Sequence, residues 1–357
     1  MKTVVIGLSG GVDSAVAAHV LKQQGYKVIG LFMHNWEEED PNGVCTAAND
    51  FEDVKKVCAI LDIPYYSVNF AKQYQERVFS YFLDEYKKGR TPNPDVLCNR
   101  EIKFGPFLRY AKALGADYIA TGHYCGISHE DGVHRLLKAK DQNKDQTYFL
   151  NQLSQEQLAN VLFPLSDMIK PQIREIADQL GLCVAHKKDS TGICFIGERK
   201  FREFLQQYLP NQEGDVVTLD GKKVGTHVGL MYYTLGQRRG LGLGGTKDNQ
   251  SRWFVVDKDL KNNRLLVSHG DESVLLSKSC TVSNVNWIPQ KPNTDKFTCF
   301  AKFRYRQDEQ KVTVEIKGNE TIVYFDQRQR AVTPGQFAVF YDETQCLGGG
   351  TIETVEK

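Results

Sequence analysis

The 357-residue chain has no apolar run approaching the roughly 18 to 20 residues that a membrane helix needs. It has no low-complexity tract and no excess of either charge. Lys and Arg number 45 against 44 for Asp and Glu, a net charge of +1. A nucleic-acid partner is therefore not announced by the whole surface and has to meet a local basic face. No two of the nine cysteines (Cys45, Cys58, Cys98, Cys125, Cys183, Cys194, Cys280, Cys299 and Cys346) form a C-x-x-C pair, which leaves a zinc ribbon or redox dithiol without support. Met1-Lys2-Thr3-Val4 runs straight into a strand, with no room for a signal or transit peptide, so the expectation is a cytoplasmic protein with no membrane partner. An odd cysteine count in that setting argues against a disulfide framework, and most of the thiols read as small buried hydrophobes.

The length allows two or three domains, with 41% hydrophobic and 25% charged residues, ordinary for a globular protein. The first part alternates strand and helix: strands at 3–8, 27–33, 65–70 and 117–121, helices at 14–24, 51–61, 73–88 and 102–114. That alternation predicts a doubly wound parallel sheet, Rossmann-like, whose ligand sits beyond the carboxyl ends of the strands. The loop after Leu8, the strand end at Met33, and Gly122-His123 share that location. Further on the sequence predicts a hairpin near 134–138 and helices at 155–162, 172–180 and 201–209. The aromatic row Tyr74 to Tyr86 reads as core, and Trp36 with Glu37 to Asp40 as a solvated acidic loop. After Pro210, short β-branched and aromatic runs broken by Gly, Asn and Asp predict two small β units. The division is 1–203 for an ATP-binding catalytic domain, 204–276 for a central β-rich domain and 277–357 for a C-terminal β-barrel.

The stretch Ser9-Gly10-Gly11-Val12-Asp13-Ser14 carries the chemistry. Gly10 and Gly11 let backbone N–H groups close around phosphate oxygens at a helix N-terminus, and Ser9 and Ser14 add hydroxyls. The lysine that usually reaches the terminal phosphates is missing. Asp13 repels phosphate, so it either holds a metal ion that phosphate also binds or caps the helix. The string resembles the pyrophosphate-binding loop of the ATP pyrophosphatases, which include GMP, NAD and argininosuccinate synthetases and several tRNA-thiolating enzymes. Those enzymes split ATP between the α and β phosphates and activate a carbonyl oxygen as an adenylate. The resemblance implies ATP with Mg²⁺.

Within that group, "TPNPDVLCNREIKF" at Thr91 to Phe104, "ATGHY" at Ala120 to Tyr124, "NKDQTYFL" at Asn143 to Leu150 and "KKDSTGICFIGERKFREFL" at Lys187 to Leu205 together resemble the tRNA-specific 2-thiouridylases over essentially the whole chain. The resemblance implies Cys98 as nucleophile, Cys194 as the persulfide carrier and Asp95 as a general acid/base. It places Asn93, Pro94 and Asp95 on the target base. Gly7, Leu8, Ser9, Gly10, Gly11, Val12, Asp13, Ser14, Met33 and Gly122 correspond to the ATP site. His123, Lys144, Asp145, Gln146, Arg304, Tyr305 and Gln336 correspond to tRNA contacts. The implied partners are a tRNA with a wobble uridine and a sulfur donor, a desulfurase or relay protein.

The chemistry is coherent with those residues. Replacing a uracil C2 oxygen by sulfur needs a better leaving group than oxide, and a persulfide is a soft, acidic sulfur carrier. A second thiol can release that sulfur as sulfide, or close a transient disulfide with Cys194. The alternative for both cysteines is burial. Against it, Cys98 reads as lying in a Pro/Asn/Asp loop, and Cys194 in a Gly-flanked segment near Lys187, Lys188, Arg199 and Lys200, cations that lower a thiol pKa or meet RNA phosphate. His123 reads as a packed strand-end residue that bonds RNA or backbone. Arg304-Tyr305-Arg306 reads as one alternating strand face, and Gly236 to Gly245 as a basic loop or a plain turn. An amidating synthetase of a small molecule and a non-catalytic, nucleotide-gated RNA-binding protein remain as alternatives.

Overall fold

A computed structural model describes residues 1–36, 46–189, 201–244 and 252–357. Strands β1 (Thr3–Leu8), β2 (Lys27–His34), β3 (Tyr65–Asn69), β4 (Tyr118–Ala120) and, later in the chain, β7 (Val161–Leu162) form one parallel sheet in the order β3-β2-β1-β4-β7. β1 is buried on both faces, which is why it reads as a continuous apolar run. Its residues alternate between two cores. Val4, Ile6 and Leu8 pack with helix Val12–Gln23 and the apolar face of Thr46–Leu61. Val5, Leu31 and Met33 pack instead with Tyr74, Phe79, Leu97, Cys98 and Phe107. The sheet is thus covered on both sides, and the aromatic row Tyr74 to Tyr86 is core as expected.

Several elements differ from the sequence reading. The predicted helix at 155–162 stops at Leu158, and Val161–Leu162 pairs with β4 as the fifth parallel strand. The helix at 71–87 is interrupted by a π-turn at Gln75–Phe79, and a second π-turn at Asn99–Lys103 directly follows Cys98. Trp36 is partly buried: its ring centroid lies 4.8 Å from that of Phe79 and 5.9 Å from that of Phe204. The acidic residues Glu37 to Asp40 lie outside the described residues.

Strands β8 (Gly214–Thr218), β9 (Lys223–His227), β10 (Trp253–Asp259) and β11 (Arg264–His269) form the central sheet, ordered β10-β11-β8-β9. The C-terminal part is a closed barrel. β12 (Leu276–Trp287), β15 (Glu320–Arg330), β14 (Gln310–Lys317), β13 (Lys296–Lys302), β16 (Phe337–Tyr341) and β17 (Gln345–Glu356) follow one another, and β12–β17 pairing closes the ring. Closure removes exposed edges. The hairpin of β5 (Gly126–Glu130) and β6 (Val133–Leu137) appears where the sequence placed one. Its β6 extends the barrel sheet through Leu136 opposite Cys346, so the catalytic part and the barrel share a sheet. Arg304, Tyr305 and Arg306 lie in the turn after β13, not on a strand.

Candidate active site

The glycine loop joins β1 to the helix Val12–Gln23. Gly10 has φ +73°, and a Cβ there would lie 2.7 Å from the Asp50 carbonyl oxygen, so only glycine fits. The Ser14 hydroxyl holds the loop from inside. It accepts from the Ser9 N–H at 3.2 Å and donates to the Gly11 carbonyl at 3.1 Å. Gly11 is the N-cap and the helix has no side-chain cap, which rules out the cap reading of Asp13 and leaves the first turn suited to an anion. At the end of β4, a Cβ on Gly122 would stand 2.7 Å from the Ser14 nitrogen. A Cβ on Gly7 would stand 3.4 Å from the Met33 Cε. Gly7, Met33, Gly122 and the loop are therefore gathered at the carboxyl ends of β1, β2 and β4, as the fold requires.

The missing lysine is supplied from elsewhere. Asp13 accepts from the Tyr124 hydroxyl at 2.6 Å and from Lys170 at 2.8 and 2.9 Å. Lys170 also lies 2.7 Å from Asp189, which pairs in addition with Lys144 at 2.8 Å and Arg174 at 3.0 Å. Partial burial raises the Asp189 carboxyl, but the Lys144 and Lys170 hydrogen bonds outweigh it and hold it at about 2. Lys187 donates to the Gly10 carbonyl at 2.9 Å and pairs with Asp50 and Asp53 at 2.7 Å each. Lys170, Arg174 and Lys187 thus surround the loop with carboxylates as present partners, and an incoming polyphosphate competes for the same cations. The sequence reading did not find Lys170 or Arg174. One signal was available: Lys170 opens the helix Lys170–Gln179, where a cation opposes the helix dipole unless an anion holds it. Among the described residues no cluster of three His, Cys, Asp or Glu is arranged to hold a metal.

On the opposite face of the sheet lies the thiol. Asn93 Oδ1 accepts from the Asp95 and Val96 N–H groups, and Pro94 occupies the first helical turn, so the Asn-Pro-Asp stretch starts the short helix Pro94–Cys98. This corrects the loop argument for exposure: Cys98 is 0% exposed, packed in the core with Val96, Leu97, Ile102 and Phe107. Asp95 is half-buried on the same helix. Cys194 lies outside the described residues, as do Arg199 and Lys200. Of the other thiols, Cys58, Cys125, Cys280 and Cys346 are buried as expected, and burial pushes Cys58 up to about 12. Cys183, by contrast, is exposed.

The residues carried over as tRNA contacts form an inner frame. His123 is 9% exposed, its Nδ1 lies 2.7 Å from the Thr121 hydroxyl, and burial pushes its pKa well below 6.5, with Lys103 adding to the shift. Asp145 is buried and accepts from the Ala139 N–H at 2.8 Å and from the Thr147 hydroxyl. Gln146 accepts from the Tyr124 N–H at 3.0 Å. Gln336 donates to the Thr91 carbonyl at 2.9 Å, tying the barrel to the strand of chain before Asn93. The Tyr305 ring lies 4.3 Å from that of Phe149, whose carbonyl accepts from Asn99, the residue after Cys98. The barrel turn and the thiol's helix are therefore in contact through two side chains.

Residues 2–198 match the tRNA methyl transferase HUP domain family, 202–269 the tRNA methyl transferase PRC-barrel domain and 277–352 the aminomethyltransferase beta-barrel domain. The tRNA-specific 2-thiouridylase MnmA of Bacillus velezensis is 59% identical over 357 residues, covering 99% of this chain and 95% of that protein. The protein of the same name from Bacillus mycoides is 58% identical over 354 residues, with the same coverage. The matches cover nearly the whole chain, and the chain belongs to the tRNA-specific 2-thiouridylase family.

Proposed function

We propose that the chain is an ATP-dependent tRNA-uridine 2-sulfurtransferase acting on the wobble uridine. The observation that carries this reading is the 59% identity over nearly the full chain to an enzyme of that name. Mg-ATP binds with its phosphates against Gly10, Gly11 and the uncapped helix turn. Lys170 and Lys187 exchange Asp13, Asp189, Asp50 and Asp53 for phosphate oxygens. The uracil C2 oxygen attacks the α-phosphorus, pyrophosphate leaves, and the C2–O–AMP adenylate forms. The terminal sulfur of a Cys194 persulfide adds at C2 and the C–O bond breaks, releasing AMP. The Cys98 thiolate then attacks Cys194 Sγ and breaks the S–S bond, leaving sulfur on C2 and a Cys98–Cys194 disulfide that a cellular thiol reduces. Asp95 moves the proton at the base. Because Cys98 is fully buried, this sequence requires its helix to open when RNA binds.

Residues 1–203, 204–276 and 277–357 act as catalytic, central and barrel units, and a desulfurase or relay protein supplies the sulfur. Among the described residues no helix is long and apolar enough to cross a membrane. A small-molecule amidating synthetase and a non-catalytic RNA-binding protein are the competing readings. With α-labelled ATP, AMP release should depend on added unmodified tRNA. AMP release at full rate without tRNA would favour the synthetase, and none with tRNA and sulfur donor present would favour the binding protein.

A further inference from the structure

The barrel carries a cavity of about 430 Å³ between the turn at 303–307 and the end of β15. Arg304, Arg306, Arg328 and Arg330 line it together with Gln307 and Gln329. The four arginines are not equivalent. Arg304 is turned inward: its Nη2 lies within 2.8 to 3.1 Å of the Leu235 and Ala331 carbonyls and the Thr333 hydroxyl. Arg330 is paired with Glu272 at 2.7 Å. Arg306 and Arg328 are exposed and, among the described residues, make no hydrogen bond or ion pair.

Below them the amides form a fixed floor. Gln307 donates to Gln329 Oε1 at 2.8 Å, and Gln329, 5% exposed, donates to the Gln327 carbonyl at 2.7 Å. A polar floor beneath two unpaired guanidinium groups matches a phosphate with its sugar, since guanidinium meets phosphate oxygens in a fork. It lacks the exposed aromatic or aliphatic anchor that a protein partner needs. The same turn carries Tyr305, which stacks on Phe149 and so touches the Cys98 helix through Asn99.

We propose that this cavity seats a phosphate and sugar of the tRNA backbone, and that Arg306 and Arg328 are its contacts while Arg304 only positions the turn. The inference rests on the tRNA reading above. It adds two arginines to the barrel residues that the family resemblance indicates.

The test measures binding of unmodified tRNA across a salt series for the wild type, Arg306→Gln/Arg328→Gln, Arg306→Lys/Arg328→Lys and, as a control elsewhere, Arg77→Gln. The Gln pair should lower the slope of log K against log salt by about 0.8, since one neutralised phosphate contributes roughly 0.7 to 0.9. It should also raise the tRNA KM roughly tenfold, leaving kcat at saturating tRNA unchanged. The Lys pair should keep most of the slope, and the control all of it. An unchanged slope in the Gln pair overturns the inference while leaving the enzyme reading intact. An unchanged slope with thiolation impaired only when a sulfur-relay protein is the donor also overturns it, in favour of a protein partner. Failure of the wild type to bind tRNA overturns the enzyme reading and this inference together.

Discussion

At the scale of single residues, the site depends on close approach and on neutral burial. A Cβ on Gly122 would meet backbone, the Ser14 nitrogen at 2.7 Å, and backbone cannot swing aside as a flexible side chain can. Gly122→Ala should therefore cost about 1–3 kcal/mol of stability and weaken ATP binding at least tenfold. Calorimetric titration with wild-type affinity would contradict that placement. His123 gives a signed pH effect. Its folded pKa lies well below the ordinary 6.5, so below pH 6.5 the unfolded chain takes up a proton that the folded chain refuses. Stability is full above that pH and falls as pH drops toward the folded value, by up to about 1.4 kcal/mol per unit. His19, His129 and His227 shift in the same direction, so the readout is a difference. His123→Gln should show a flatter stability curve between pH 6.5 and 5 than the wild type, and parallel curves would refute the neutral burial. The residue types of the loop were legible in the sequence. The partners of Asp13 were not, because Tyr124 and Lys170 stand 111 and 157 positions away and no local pattern links them.

At the scale of elements, periodicity located what is long and missed what is short. β1 and β2 are buried along nearly their whole length and the helix Val12–Gln23 over about three turns, so their apolar runs are readable. β7 has two residues, too few for any period, and its apolar pair merges with the helix before it. Arg304-Tyr305-Arg306 has the alternation of a strand but sits in a turn, where Arg304 turns inward to carbonyls and Arg306 outward. The Asn-Pro-Asp stretch before Cys98 was read as loop chemistry, yet the same residues are a helix start. That helix begins at a single side-chain cap and is held by core packing of Val96, Leu97 and Cys98. Asn93→Ala should destabilise it by about 1 kcal/mol, read as roughly fivefold faster hydrogen exchange at the Asp95 and Val96 amides. Exchange equal to wild type would mean that the cap is dispensable.

At the scale of the molecule, the barrel is fastened to the nucleotide-binding part by ties that no single segment reveals. β6 pairs with β17, and Gln336 bonds Thr91. Arg90 joins Glu85, nearly fully buried, to Glu353 of the barrel at 2.8 and 2.6 Å. Arg90→Met would leave the buried Glu85 with Lys88 alone and Glu353 with the Ser283 hydroxyl alone. It should cost about 3 kcal/mol, the lower end for a broken buried pair because Glu353 is partly exposed. Limited proteolysis should then cut between the two parts at lower denaturant than in the wild type, and an unchanged cleavage profile would show that the tie carries nothing. These ties accompany the contact of the barrel turn at Tyr305 with Phe149, whose carbonyl accepts from Asn99 beside the Cys98 helix.

The most direct test of the central claim is mass spectrometry of nucleosides from unmodified tRNA incubated with the protein, Mg-ATP, a cysteine desulfurase with cysteine, and a sulfur relay. The wild type should produce 2-thiouridine at the wobble position, and Cys194→Ser should produce none while still binding ATP and tRNA. No thiolated nucleoside from the wild type, or undiminished thiolation by Cys194→Ser, would contradict it.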